Sequence, residues 1–339
     1  MRIWVSSCTA LAFITTIGIG FSGQAHAQKI RINYDALSSL EEPLAFSVGE
    51  VTVLVSGAVD APVKLHLDPS ALAWDKEVTL RSNIGINAET QLGNRWTVGV
   101  SYFGQYDVRD NVYGDNVVGY VRTTLGSFIG GNTAGLVREQ TRRARGFGNA
   151  ALAFDNFYGG LSRWGGAYIG RFGPVSGSVA FDEFGNFDVG AVFQRPIGNK
   201  DYRMAVRVSD GQYLSADAST KFDTAGVNMV GELVFGSSRF DIRGGFERLK
   251  SNPLNLDRWF LSGGMQTKTG VISLSAEGHY GELDGSPEAS ASLGIAYDIA
   301  RGISTNLGIN ARKAQIARNG INVIDEKEAS AVASIRYSF

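Results

Sequence analysis

Residues 329–339 read ASAVASIRYSF, and this stretch decides the fold. Ala329, Ala331, Ala333, Ile335, Tyr337 and Phe339 share one side, while Ser330, Ser334, Arg336 and Ser338 share the other. Val332 is the one exception. Alternation of period two marks a strand with one apolar and one polar face. In a soluble sheet the apolar face points to a core; in a transmembrane barrel it points to lipid and the polar face lines a watery lumen. The aromatic residues gather at the end of this strand, and Arg336 sits on its polar side.

The same alternation runs back through the chain. Val78, Leu80, Ile84, Ile86, Ala88 and Leu92 are apolar, and Thr79, Arg81, Asn83, Asn87, Glu89 and Gln91 between them are polar. A half-buried strand of a soluble protein rarely runs so long, whereas a tilted membrane strand needs roughly 9–11 residues. Gly93-Asn94 is a turn signal. After it Trp96, Val98, Val100 and Tyr102 share a face with aromatic residues at both ends, as expected at two lipid–water interfaces.

Strands are expected near 48–60, 76–92, 95–108, 117–126, 127–132, 166–172, 175–184, 186–195, 201–214, 223–235, 238–250, 257–268, 271–283, 287–299, 302–315 and 326–339. Short connections at Gly93-Asn94, Gly126-Ser127, Gly173-Pro174, Ser237-Ser238, Thr269-Gly270 and Arg301-Gly302 alternate with mostly longer ones. The longer ones lie around 61–75, 109–116, 133–165, 214–222, 251–257 and 316–325, with a very short link at Gly185 and a longer turn at Pro196 to Lys200 as exceptions. The expectation is an all-β, closed antiparallel transmembrane β-barrel of about sixteen strands, with short periplasmic turns and both termini in the periplasm. A secreted β-sandwich or propeller is the soluble alternative. No blade-length repeat occurs, and two packed sheets give shorter strands with less regular polar faces.

The start of the chain agrees. Residues 1–27 read as a signal peptide, with Arg2 as the only charge, an apolar stretch from Ala10 to Phe21 and a cleavable Ala25-His26-Ala27. No second apolar run of about 18 residues exists, so a helical membrane protein is excluded. Cys8 is the only cysteine and falls in this segment, which excludes disulfides, thiolate metal sites and a cysteine nucleophile from the mature chain. The 32 basic and 33 acidic residues balance, which excludes a nucleic-acid binder by bulk charge. Forty-three glycines against seven prolines suit a large sheet with tight turns. Residues 28–47, with Glu41-Glu42-Pro43, form an extra stretch before the first strand and are read as an N-terminal periplasmic extension; residues 48–339 form the barrel.

Residues 133–165 make the longest connection, and loops of this length in compact folds are functional or disordered. It carries Arg138, Arg142, Arg143 and Arg145 against Glu139 and Asp155. Leu136 to Arg145 suits about two helical turns. The apolar content (Ala150 to Phe154, Phe157, Tyr158) argues for packing, and a barrel of about sixteen strands has a lumen that an inward-folded loop narrows. On the strands, the phases turn Arg81, Arg122, Arg203, Arg207, Arg243 and Arg336 inward together with Glu89, Asp188, Asp241, Glu247 and Glu277. A lipid-facing Arg at mid-depth costs ~2–4 kcal/mol, which favours these phases. In a water-filled pore such charges keep their solvation.

With its signal peptide, turn pattern, long third loop, Gly-Asn-Phe-Asp-Val-Gly-Ala run at 185–191 and terminal Arg336-Tyr337-Ser338-Phe339, the chain resembles the Gram-negative general porin family. The kind it is similar to is the trimeric, sixteen-stranded one of purple bacteria. The resemblance covers residues 48–339. It implies passive diffusion of small hydrophilic solutes and ions through the outer membrane and a third loop folded into the lumen. It also implies a homotrimer among outer-membrane lipid and lipopolysaccharide, and assembly by the barrel-assembly machinery through Tyr337 and Phe339. Enteric members carry an acidic loop, whereas this one is basic. The expected constriction joins Arg81 and Arg122 to Arg138, Glu139, Arg142, Arg143, Arg145 and Asp155, with Arg203, Arg207, Arg243, Arg336, Asp188, Asp241 and Glu277 as pore wall. Basic rings favour anions, so weak anion preference or low selectivity is expected.

Two rivals remain at the level of sequence. A barrel enzyme needs a base beside a nucleophile, and the mature chain offers only His66, read as first-loop, and His279, read as a solvated wall residue beside Glu277. No Gly-x-Ser-x-Gly or His-Glu-x-x-His motif occurs, and no catalytic residue, metal or cofactor is expected. A substrate-specific channel for a sugar, phosphate or organic acid is the nearer rival. Phe147, Phe154, Phe157, Tyr158 and Trp164 suit either an aromatic path or docking of the loop.

Overall fold

The computed structural model describes residues 31–32, 43–68, 73–108 and 112–339; the expected signal peptide and most of the 28–47 extension lie outside them. Two short strands come first, β1 (Arg31–Ile32) and β2 (Leu44–Val48). Then follow β3 (Val51–Asp68), β4 (Ala73–Val78), β5 (Arg81–Gln91), β6 (Thr97–Asp107), β7 (Val112–Thr123) and β8 (Gly126–Asn132). A short helix α1 (Leu136–Thr141) lies in the loop before β9 (Trp164–Phe172), β10 (Val175–Asp182), β11 (Phe187–Ile197) and β12 (Lys200–Leu214). The last seven are β13 (Lys221–Phe235), β14 (Ser238–Ser251), β15 (Leu254–Thr269), β16 (Ile272–Leu283), β17 (Ser286–Ala300), β18 (Ile303–Arg318) and β19 (Ile321–Ser338).

From β3 onward each strand pairs antiparallel with the next, and β4 and β5 lie end to end along β3 as one broken stave. The circle closes where β19 pairs with β3, from Ser338↔Ala58 to Ser330↔His66, giving a barrel of sixteen staves. Closure leaves no open edge along the wall, the condition for placing a sheet in lipid. At the seam Gly57 and Phe339 exchange backbone hydrogen bonds of 2.9 Å each way. A Cβ on Gly57 would come 2.8 Å from the Phe339 ring, so the glycine makes room for the terminal aromatic on the outer face.

Alternation decides which way each residue points. Along β12, Met204, Val206 and Val208 are exposed on the outside, and Arg203, Ala205, Arg207 and Ser209 point inward. Along β19, Ala333, Ile335 and Tyr337 face out and Ser334 and Arg336 face in, as the sequence phase requires. Outward apolar positions and inward polar ones give a body suited to a bilayer.

Three expectations change. The first strand does not stop at residue 60 but runs on to Asp68, so the expected loop at 61–75 shrinks and His66 lies on a strand, 2.8 Å from Glu77. The connections expected to be long at 251–257 and 316–325 are tight turns between β14 and β15 and between β18 and β19. Their polar residues belong to strands that outrun the bilayer, which a polarity-based reading mistakes for loop. Finally, part of the 28–47 extension is strand: β2 takes the edge of β3 below the seam, pairing Leu44–Val48 with Val51–Val55, and Arg31 and Ile32 pair with Ser47 and Phe46.

Candidate functional site

Between β8 and β9 the chain leaves the wall and crosses the inner face of the barrel twice. It starts on α1, whose Val137 packs with Ala167 and Ala180 of the wall. The outgoing limb then makes charged contacts. Arg143 Nη1 donates to Asp241 Oδ1 and Nη2 to Glu277 Oε1, both at 2.8 Å, and its Nε donates to Asp155 within the loop at 3.0 Å. The N–H of Ala144 donates to Glu232, that of Phe147 to Ser275 Oγ and that of Ala151 to Asn310 Oδ1. The return limb is held by Glu247, which accepts from the N–H groups of Tyr158 and Gly159, and by Arg258, which donates to the carbonyls of Phe154 and Asn156. Gly160 exchanges backbone bonds with Gln212, and Ser162 N–H donates to Asp182. The inward strand residues thus supply the partners that an irregular backbone lacks.

Glycines on the inner face let the loop lie flat. A Cβ on Gly294 of β17 would collide with the Phe147 carbonyl, and one on Gly308 of β18 with the Asn149 carbonyl. Gly148 between them has φ +63° and sits against the carbonyls of Ile295 and Leu307, so backbone meets backbone without side chains in between. Gly190 leaves room for Val137 and Thr141, and Gly226 for the Phe157 ring. Inward glycines on successive strands, where a pore wall needs side chains, are a signal the sequence carried and the alternation reading passed over.

The expected site residues fall into two groups. Arg143, Arg207, Arg243, Asp188, Asp241 and Glu277 are not solvated: all are buried beneath the loop. Arg207 Nε donates to Asp188 Oδ1 at 2.7 Å, and Arg207 and Arg243 both donate to Asn156 Oδ1. Arg203 pairs with Glu232 at 2.9 Å and donates to the Arg142 and Gln140 carbonyls. These side chains point inward as expected but grip the loop instead of meeting solutes. Burial alone would lower the affinity of Arg143 for its proton; the attraction of Glu277, Asp241 and Asp155 outweighs it and raises that affinity above the ordinary value.

The second group faces water. Arg138 and Arg145 are exposed, and Arg142 is partly so. Glu139 bridges Arg142 at 2.7 Å and Arg145 at 3.0 Å. The helix is shorter than expected: it ends at Thr141, whose hydroxyl donates to the Val137 carbonyl, and Arg142 is extended. Across from the loop, Arg81 pairs with Asp107, Arg122 with Glu89 at 3.8 Å, and Arg336 with Asp60. Arg312 and Lys64 both contact Glu328. A cavity of about 470 Å³ borders Arg138, Glu139, Arg142 and Arg145, and one of about 440 Å³ borders Arg145, Arg81, Arg312 and Arg336. Arg145 lines both.

His279 is buried, not solvated. Its Nδ1 lies 2.8 Å from Ser262 Oγ and its Nε2 3.0 Å from Glu288 Oε1. Glu288 also accepts from Arg258 and from the Tyr158 hydroxyl. Ser262 is 2 % exposed, so this Ser-His-Glu array is sealed under the return limb and serves to hold it. Three of the five aromatic residues expected in the loop are docked as well, whereas Trp164 opens β9 and is exposed. Phe154 and Tyr158 pack on a buried apolar cluster and Phe157 lies 6.3 Å from Phe260, so they line no continuous aromatic path.

Comparisons with solved structures find the same barrel fold in porins of Gram-negative bacteria. The chain is similar to an anion-selective porin from Comamonas acidovorans (TM-score 0.66, 13 % identity, 86 % of this chain and 100 % of that one). It is similar also to OmpT, an outer membrane protein of Vibrio cholerae (0.65, 14 %, 85 % and 99 %), and to a mutant of the Rh. blastica porin (0.56, 13 %, 85 % and 100 %). No family model and no curated protein matches the sequence.

Proposed function

We propose that the protein is an outer-membrane porin, a water-filled channel for passive diffusion of small hydrophilic solutes and ions with weak anion preference. The carrying observation is the charge left facing water. Of the three loop arginines that face water, Arg142 and Arg145 share one carboxylate, Glu139, and Arg138 forms no ion pair with it. The cations opposite them are individually paired. A cationic rim lowers the barrier for anions, and pairing on the far wall keeps the preference modest. The similar Comamonas protein is described as anion-selective, which agrees.

Partners follow from the same reading: outer-membrane lipid and lipopolysaccharide around the barrel, and assembly machinery engaging Tyr337 and Phe339. A homotrimer is supported by an apolar groove on the outer face, where Ala331 and Ala333 leave a recess between larger residues such as Leu65, Leu293, Leu307 and Ile309. The refolded chain in a planar bilayer under a KCl gradient should give a small reversal potential of the anion-preferring sign. A strongly cation-selective potential would reject the reading.

A further inference from the structure

Near the extracellular rim the barrel turns inside out. Below it, inward residues are polar and outward ones apolar. Above Trp259 and Tyr280, whose outward rings lie 5.8 Å apart as an interface pair would, the pattern reverses. Phe222, Leu249, Leu256, Leu283, Ile316 and Val323 point inward and form one cluster with exposures of 0–2 %. Their strand neighbours Asp223, Arg248, Asp257, Glu282 and Gln315 face outward. The strand ladder alone does not bury this cluster. The tip between β12 and β13 reaches across to β19: Ala216 N–H and the Tyr213 hydroxyl both donate to the Val323 carbonyl, and Asn322 N–H donates to Asp217. In the sheet order β12 and β19 are seven staves apart, close to opposite in a ring of sixteen. The bonds therefore span the mouth. Phe154 and Tyr158 pack on the underside of the same cluster, which ties it to the constriction loop.

We propose that the tips of β12–β19 form a cap with an apolar interior that closes the extracellular mouth over that half of the barrel. Solutes enter only through the half bounded by β3–β9 and so pass Arg138, Arg142 and Arg145. The cap is a second determinant of solute size, built from residues outside the constriction. Its cause is physical: strands that outrun the bilayer meet water on their outer face, so their apolar residues can be buried only inward. The inference rests on the channel reading, and its test separates the two.

Cys8 being the only cysteine, single cysteines report access cleanly once the expected signal peptide is removed. A charged methanethiosulfonate is added to Leu283→Cys, inside the cap, and to Ser101→Cys, inward on β6 in the open half, in micelles (mass shift) and in bilayers (current). We expect Ser101→Cys to react and its current to fall, and Leu283→Cys to react at least roughly tenfold more slowly, because access requires local opening. Replacing residues 215–220 by Asn-Gly should make Leu283→Cys reactive and let larger sugars through in liposome swelling. Equal reactivity at both positions in the intact tip overturns the cap, as does a shortened tip that passes no larger sugar. If the shortened variant does not fold, the Leu283/Ser101 comparison decides alone. Absence of conductance in every folded variant would instead sink the channel reading, while the mass shift still reports on the cap.

Discussion

Replacing Arg143 by Met tests whether buried charge or exposed charge positions the loop. The guanidinium is 2 % exposed and contacts three carboxylates, of which Asp241 and Glu277 are 0 % and 2 % exposed. Met keeps most of the volume and removes the charge, leaving two carboxylates buried without a counter-charge. Breaking a buried pair from one side costs about 3–5 kcal/mol, roughly two to more than three powers of ten in the equilibrium between docked and released. The bonds of Phe147, Asn149 and Ala151 to the wall remain, so release should centre on residues 142–146. The assay is single-channel current noise together with the thermal midpoint of the barrel. We expect a folded barrel that melts lower and flickers between conductance levels. Arg145→Met, two residues along, is the contrast: its side chain is 71 % exposed and touches only Glu139, so stability should change by less than ~1 kcal/mol. Equal effects of the two substitutions on melting and noise would refute the buried-anchor reasoning.

Four further outcomes follow from the same geometry. Arg138→Glu with Arg145→Glu should shift the reversal potential in a KCl gradient toward cations without altering heat-dependent gel mobility. Gly308→Val should lift the loop from β18 at a cost of ~1–3 kcal/mol, readable as lowered melting and altered conductance, because the obstruction is the Asn149 backbone; Gly278→Ala, with open space around it, should be neutral. Gly57→Leu should slow or reduce insertion into vesicles, since the Phe339 ring fills its space at the seam. Asp217 is held well below the usual carboxylate range by hydrogen bonds from Ser215 and Ser219 and from the Asn322 and Ser219 N–H groups. A depressed folded value gives stability above the unfolded value of about 4 that is lost only as pH falls through the folded one. Amide exchange at Asn322 should therefore stay protected at pH 4–5 and rise in stronger acid, a step that Asp217→Ala should abolish.

The period-two code determined much by itself. Whether Arg207, Asp241, Glu277 or Ile335 points in or out depends only on its parity along a strand and on the cost of placing charge in lipid, and both are local. The outward apolar face of the last strand and the inward turn of Arg81, Arg122 and Arg336 were legible for that reason. What an inward residue meets is not local. Arg143 finds its carboxylates 98 and 134 residues away, so only the tertiary structure separates the arginines that anchor the loop from those that face water. The reversal of polarity above Trp259 was hidden for a related reason: alternation continues unbroken through it, and only the height of the bilayer, which no single strand encodes, says which face is wet.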